Sequence, residues 1–308
     1  MELVPGTCAE RYLAFKNTQG SQITFEDIAA EEKRLGLDKP FLYRYTKWVS
    51  DIVIKQDFGD SCILRISINE LLSGRFVLSL TIAITALLFS YAIAIPVGII
   101  SATTKYASLD NALKFVSYLG IALPNFLVAL CIMLFMTVYY GDTMTGLFSQ
   151  EYENAPWSSA KVQDFLSRAW LPIFVLGWNA TAFALQTVRA LMLDENDKLY
   201  VMAARARGVS GMSLLWRYPA KHSLGPVINS IGFDLNRIFS ALPVVALILI
   251  LTEAGALLIE ALARSNDQQL AGAIIFLLTA TIVFVNFVTD IILAIMDPRI
   301  RRGVMGGS

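Results

Sequence analysis

The chain has 308 residues, of which 56% are hydrophobic and 16% charged, with a mean hydropathy of +0.57. That balance excludes an ordinary soluble domain, a disordered chain and a coiled coil. The 25 basic residues cancel the 25 acidic ones, so no nucleic-acid partner is implied.

The opening MELVPG has neither a basic region leading into an apolar core nor a cleavage site, so it is not a signal peptide. Residues 1–75 are polar and of mixed charge, with 10 Lys and Arg against 11 Asp and Glu, and read as a small folded segment. TFEDIAAEEKRLGL predicts a helix with Thr24 as cap and Asp27 three positions on, ended by Gly36. After Pro40, FLYRYTKWVSDIVI puts Tyr45, Trp48 and Ile52 on one helical face. That face suits packing against protein or against a membrane surface. DFGDS then predicts a turn.

Five apolar blocks follow, at about 76–101, 113–138, 170–190, 228–252 and 272–295. Each is long enough to cross about 30 Å of hydrocarbon at about 1.5 Å per residue. The expectation is an all-α polytopic membrane protein with five transmembrane helices. Pro96, Pro124, Pro172 and Pro243 fall inside or beside these blocks, where they kink helices or mark their ends.

The short connections orient the chain through their Lys and Arg content. Lys105, Lys114, Arg189, Lys198, Arg205, Arg207, Arg217, Lys221, Arg299, Arg301 and Arg302 fall on one side. The other side holds Lys161, Arg168 and Arg264 beside Asp142, Glu151, Glu153, Asp164, Glu253, Glu260 and Asp267. The bias alternates across all five blocks, which predicts a cytoplasmic C-terminus and an extracytoplasmic segment at 1–75. The membrane-spanning remainder is 76–308, with a cytoplasmic connection at about 191–227. An exterior polar segment requires something to carry it across. The expectation is therefore a further span upstream, about 20 apolar residues long, that the chain as given lacks.

The cytoplasmic connection LMLDENDKLYVMAARARGVSGMSLLWRYPAKHSLGPV is too long for a tight turn. Asp194 or Asn196 is a cap for a helix carrying Tyr200, Ala203, Ala204 and Arg207. Gly208 and Gly211 permit a sharp change of direction, and a second short helix carries Leu214, Leu215 and Trp216 up to Pro219. The small residues at 203, 204 and 206 permit close approach of another surface. A basic loop that only fixes topology, and a knob on which a cytoplasmic partner pushes, both account for this stretch.

Within the spans, ionisable and amide side chains are costly unless they face protein or water. Asp234 and Arg237 lie three apart on one helical face, a separation suited to an ion pair, with Asn236 beside them. A pathway wall and a structural pair both explain them. Asn179 and Gln186 are further pathway candidates, whereas Asp290, four residues from Asn286 near the end of the last block, suits a structural role. Cys8, Cys62 and Cys131 match no metal spacing, and their odd number gives no disulfide framework. His222 stands alone as a surface histidine, so neither a metal nor a catalytic site is expected. A secondary transporter or a channel would also be polytopic, but no internal repeat and no filter motif is visible.

MAARARG resembles the E-A-A-three residues-Gly loop pattern of the permease subunits of binding-protein-dependent ABC importers, with Met202 in the acidic position. Together with LGLDKP, Trp48, DFGDS, Pro226 and the terminal TDIILAIMDPRIR, it resembles the B-type subunit of the dipeptide and oligopeptide class. The resemblance implies a type I ABC importer permease fold lacking its first helix, in a bacterial inner membrane. It implies an ATPase-coupling loop at Ala203, Ala204, Arg205, Arg207, Gly208 and Arg217. The implied partners are a second homologous permease, two cytoplasmic ATPases carrying ATP and Mg, an extracytoplasmic solute-binding protein and the lipid bilayer. The chain itself has no GxxxxGK phosphate loop. Its LTEAGALLIEALARSNDQQL departs from the family by lacking the proline and aromatic of the turn after the fourth span, while keeping Gly255.

Overall fold

The computed structural model describes residues 7–18, 24–104, 106–141, 143–153 and 155–296. Lys105, Asp142, Asp297, Pro298, Arg299, Arg301 and Arg302 therefore lie outside the described residues. The chain divides into two compact units, Met1–Leu80 with Ile250–Thr279, and Thr81–Leu249 with Ala280–Ser308.

In the first unit, helices α1 (Cys8–Thr18), α2 (Phe25–Arg34) and α3 (Phe41–Ser50) precede a π-helical turn at Asp51–Lys55. The Thr24 amide donates to Asp27 at 2.9 Å, which is the returning half of the expected capping box, and Gly36 terminates α2. The Trp48 side of α3 packs on protein: its ring meets Phe276 edge-on at 6.3 Å and Ile52 is buried, whereas Tyr45 remains exposed. The DFGDS turn is held by Asp57, which accepts from the Gly59 amide at 2.8 Å.

The same unit contains a disulfide between Cys8 and Cys62, which corrects the expectation of no disulfide framework. An odd count excludes complete pairing but not a single bridge, and Cys131 is the cysteine left free. Beside the bridge, buried Asp267 accepts from Ser61 Oγ at 2.7 Å, from the Cys62 amide at 2.8 Å and from the Leu270 amide at 3.1 Å. One carboxylate thus caps the start of α13 (Gln268–Met296) and anchors the loop carrying Cys62. A core of Ile68, Leu72, Leu257, Leu258, Leu270 and Ile274 lies beneath it.

Glu253 begins α12 (Ala254–Ile259), and its carboxylate accepts from the Gly255 and Ala256 amides at 2.8 and 2.9 Å. The Ser79 hydroxyl donates to the same group, and Glu253 is fully shut from solvent. Burial pushes this carboxyl above its ordinary range, against the pull of Ser79 and the two amides. The short helix after the fourth apolar block is thus fixed by a side-chain cap in a sequence that lacks the proline and aromatic.

The second unit is built from long helices, together with the later parts of two that begin in the first. α4 (Ile68–Thr103), α7 (Ser159–Asn196), α11 (Ile231–Leu249) and α13 are each long and apolar enough to cross a membrane. The block expected as one span at 113–138 is a broken pair, α5 (Ala107–Ala122) and α6 (Asn125–Tyr140), bent by 101°, so the described residues hold four spans, or five if the bent pair crosses as one. Pro124 supplies the break: it cannot donate an amide to continue α5, and it biases Leu123 to extended backbone. Pro96, Pro172 and Pro243 lie inside α4, α7 and α11.

Small residues bring the helices of this unit into close contact, which is how helices associate where lipid removes the hydrophobic driving force. A β-carbon on Gly98 would stand 2.8 Å from Val188, and one on Gly120 would stand 2.8 Å from Ala182. Ser90 Oγ adds an interhelical hydrogen bond to the Gly177 carbonyl at 3.0 Å. Outward-facing Leu88, Phe115, Leu134, Val138 and Phe284 are exposed, as lipid contact requires.

Candidate functional site

The connection after α7 folds as α8 (Leu199–Ala206), α9 (Gly211–Arg217) and α10 (Pro219–Asn229). Asp194 and Asn196 do not cap α8, because α7 is still helical there and Lys198 occupies the cap position. Asp194 instead pairs with Lys198 at 3.0 Å, and Asn196 accepts from Arg205 at 2.9 Å. Tyr200 donates to Glu195, and burial followed by that carboxylate pushes its phenol upward. These ties hold α8 to the end of α7.

Gly208 makes the turn out of α8 at φ +85°, with its amide bonded to the Arg205 carbonyl at 2.9 Å. Gly211 repeats the left-handed backbone at φ +63°. Around the bend Val201, Ala204 and Leu214 form a small buried core with Tyr200, Val209 and Tyr218. Ala204 therefore faces inward, against the expectation that it offers its surface to a partner. Ala203, Arg205, Arg207, Gly208 and Arg217 are exposed, and Met202, Met212 and Trp216 form apolar exposure around them. His222 lies on α10 with its ring 5.0 Å from that of Tyr200.

The knob has a fixed base. Ala220 and Val227 of α10 share a buried cluster with Ile99 of α4 and with Val188 and Met192 of α7. One turn away, Arg189 grips Asp110 through Nε at 2.9 Å and Nη2 at 2.9 Å, while Ser101 Oγ donates to the same carboxylate at 2.6 Å. Lys114 Nζ adds a fourth contact at 3.1 Å. The sequence marked Arg189 and Lys114 only as topology-setting charges, and the fork onto Asp110 was not foreseen. We expect Asp110→Asn or Arg189→Gln alone to lower the yield of assembled, detergent-stable protein several-fold, because each leaves a partly buried charge without its bidentate partner. The exchange of Asp110→Arg with Arg189→Asp should recover part of it. Size-exclusion chromatography of fluorescently tagged variants checks this, and wild-type yields for both singles would rule the clamp out.

The pathway candidates separate in the fold. Asp234 is buried, accepts from Tyr91 at 2.6 Å and from Arg237 Nη1 at 3.1 Å, and so forms the expected ion pair. The Arg237 guanidinium stacks on Phe183 at 3.9 Å from the ring centre and is 43% exposed. Asn179 donates to the Gly120 carbonyl at 3.2 Å. Asn179 and Arg237 line one cavity of about 250 Å³ with Asn125, Phe126, Ala241 and Val244. Gln186 and Asn236 do not line it: Gln186 Nε2 is buried without a partner among the described residues, and Asn236 is exposed elsewhere on α11. Asn125 and Tyr91 are the additions that the sequence did not signal.

A bundle of apolar helices with a bent helical knob on one connection defines a polytopic membrane permease subunit. The chain belongs to the family of binding-protein-dependent transport system inner membrane components, whose family model matches residues 94–302. It is a multi-pass protein of a bacterial inner membrane, and its family is by description one component of a larger transport system. It is 30% identical over 281 residues to the inner membrane ABC transporter permease protein YejB of Escherichia coli O157:H7, covering 89% of this chain and 76% of that one. It is 29% identical over 270 residues to the oligopeptide transport system permease protein AppB of Bacillus subtilis, covering 87% and 83%. The fold matches the inward-facing MetNI methionine ABC transporter with a TM-score of 0.58 at 16% identity, covering 74% of this chain and 96% of that chain.

Proposed function

We propose that this chain forms half of the translocation pathway of an ATP-driven importer for peptides or similar small solutes. It would pair with a second homologous permease, receive cargo from an extracytoplasmic solute-binding protein, and carry two cytoplasmic ATPases with the partner permease. The observation that carries this reading is the exposed bend at Gly208, built between two short helices whose base is packed on α4 and α7. ATP and Mg belong to the ATPases, and the side chains named here act as mechanical parts. Nucleotide-driven movement shifts the population between inward and outward openings through differential contacts at this knob. The peptide assignment draws on the similarity to the oligopeptide transport system permease protein AppB. ATP-dependent uptake of a labelled peptide by cells expressing the complete transporter tests it, and loss of that uptake on deleting the chain is the expected result.

Orientation has two independent supports. The Lys and Arg bias assigns 1–75 to the outside, and the Cys8–Cys62 disulfide is a bond that persists in oxidising compartments. With Cys131 replaced by serine, Ser159→Cys should label from outside with a membrane-impermeant maleimide, and Met212→Cys only after the membrane is opened. Both positions are exposed. The reverse pattern would invert the assignment.

A further inference from the structure

We propose that the cavity between α6, α7 and α11 reads a carboxylate of the cargo, with Arg237 as its principal contact; this rests on the peptide-importer reading above. Among the described residues the cavity is lined by one cation, Arg237, set against the amide side chains of Asn179 and Asn125 and the apolar Phe126, Ala241 and Val244. Mixed walls of this kind, with few polar groups on an apolar lining, are those of small-ligand sites.

Arg237 is equipped for a second anion. Its Nη1 donates to Asp234, but among the described residues no acceptor takes Nε or Nη2. That edge of the guanidinium matches the two oxygens of a carboxylate. Asp234 does not depend on Arg237 alone, since Tyr91 donates to its other oxygen at 2.6 Å. Phe183 holds the guanidinium plane in place at 3.9 Å, so the donor edge is preorganised.

The opening of α6 reinforces the same preference. Asn125 and Phe126 are its first two residues, and the cap position is Pro124, which offers no side-chain cap. Amides at a helix start favour negative charge in front of them. The break at Pro124 is what brings this helix start into the interior of an apolar block, where an unbroken span would have presented only side chains. Asp234 nearby keeps the site from being a strong anion trap, which suits a pathway that must release its cargo.

The test uses cells producing the complete transporter, with uptake of radiolabelled trialanine compared with its C-terminal amide. Arg237→Gln should lower uptake of the free acid about tenfold and of the amide less than twofold, and Arg237→Lys should fall between. The double variant Asp234→Asn/Arg237→Gln leaves no unpaired charge and should show the same selectivity change. Rates are normalised to assembled transporter. Each comparison is between variants for one cargo, so discrimination by the binding protein cancels. Equal losses for acid and amide in both variants would overturn the carboxylate role while leaving peptide import standing. Uptake of neither peptide by the wild-type transporter would overturn the peptide reading itself, and this inference with it.

Discussion

Gly208→Trp should leave the chain folded and inserted yet reduce uptake by the complete transporter at least tenfold. Among the described residues nothing lies within 4 Å of the position a β-carbon would take at Gly208, so the bulky ring projects into open space beside the knob. The local cost is the left-handed backbone at φ +85°, about 1 kcal/mol for a residue with a β-carbon. The larger consequence falls on whatever docks there. Co-purified ATPase should drop in parallel with uptake, whereas Arg207→Glu, a change of charge at an exposed side chain, should cost less. Unchanged ATPase stoichiometry with unchanged uptake would remove the bend as the contact surface.

Glu253→Ala should be the most destabilising single change in the first unit, by about 3 kcal/mol. The alanine removes a helix cap and leaves the Ser79 hydroxyl and two amides without their buried acceptor. Glu253→Gln keeps an acceptor oxygen for these donors, so its loss should be much smaller. Thermal unfolding in detergent separates the two. Equal melting temperatures for the alanine and glutamine variants would show that the cap does not hold this turn.

The parts of the fold legible in the sequence are those governed by local rules. Apolar blocks located the long helices because the hydrocarbon thickness sets a minimum length, and Gly208 with Gly211 located the knob because few other residues take that backbone. Asp234 and Arg237 could be paired because three residues of helix fix their separation. Pro124 is legible as a kink or helix end because it lacks an amide, but the 101° angle between the two halves is not, since hydropathy averages across a bend that leaves composition unchanged. Cys8 with Cys62, 54 residues apart, and Asp110 with Arg189 are joined only by the tertiary arrangement. Ala204 faced the wrong way in the sequence reading for a related reason: small residues permit close approach equally to a partner and to the Leu214 side chain of the same chain.

α7 runs for 38 residues, about 57 Å at 1.5 Å per residue, nearly twice the thickness of the hydrocarbon it crosses. It begins at a loop pinned by Lys161, whose ammonium is held by the Ala155 carbonyl at 2.6 Å, and ends at the knob. Such an element is a lever arm that passes through the bilayer. A tilt of about 5° imposed at its knob end displaces the far end by about 5 Å, given a rod of that length. A few degrees of rocking on one side of the membrane therefore suffice to move the loop on the other side by about the width of an amino-acid side chain, with no need for any helix to unwind.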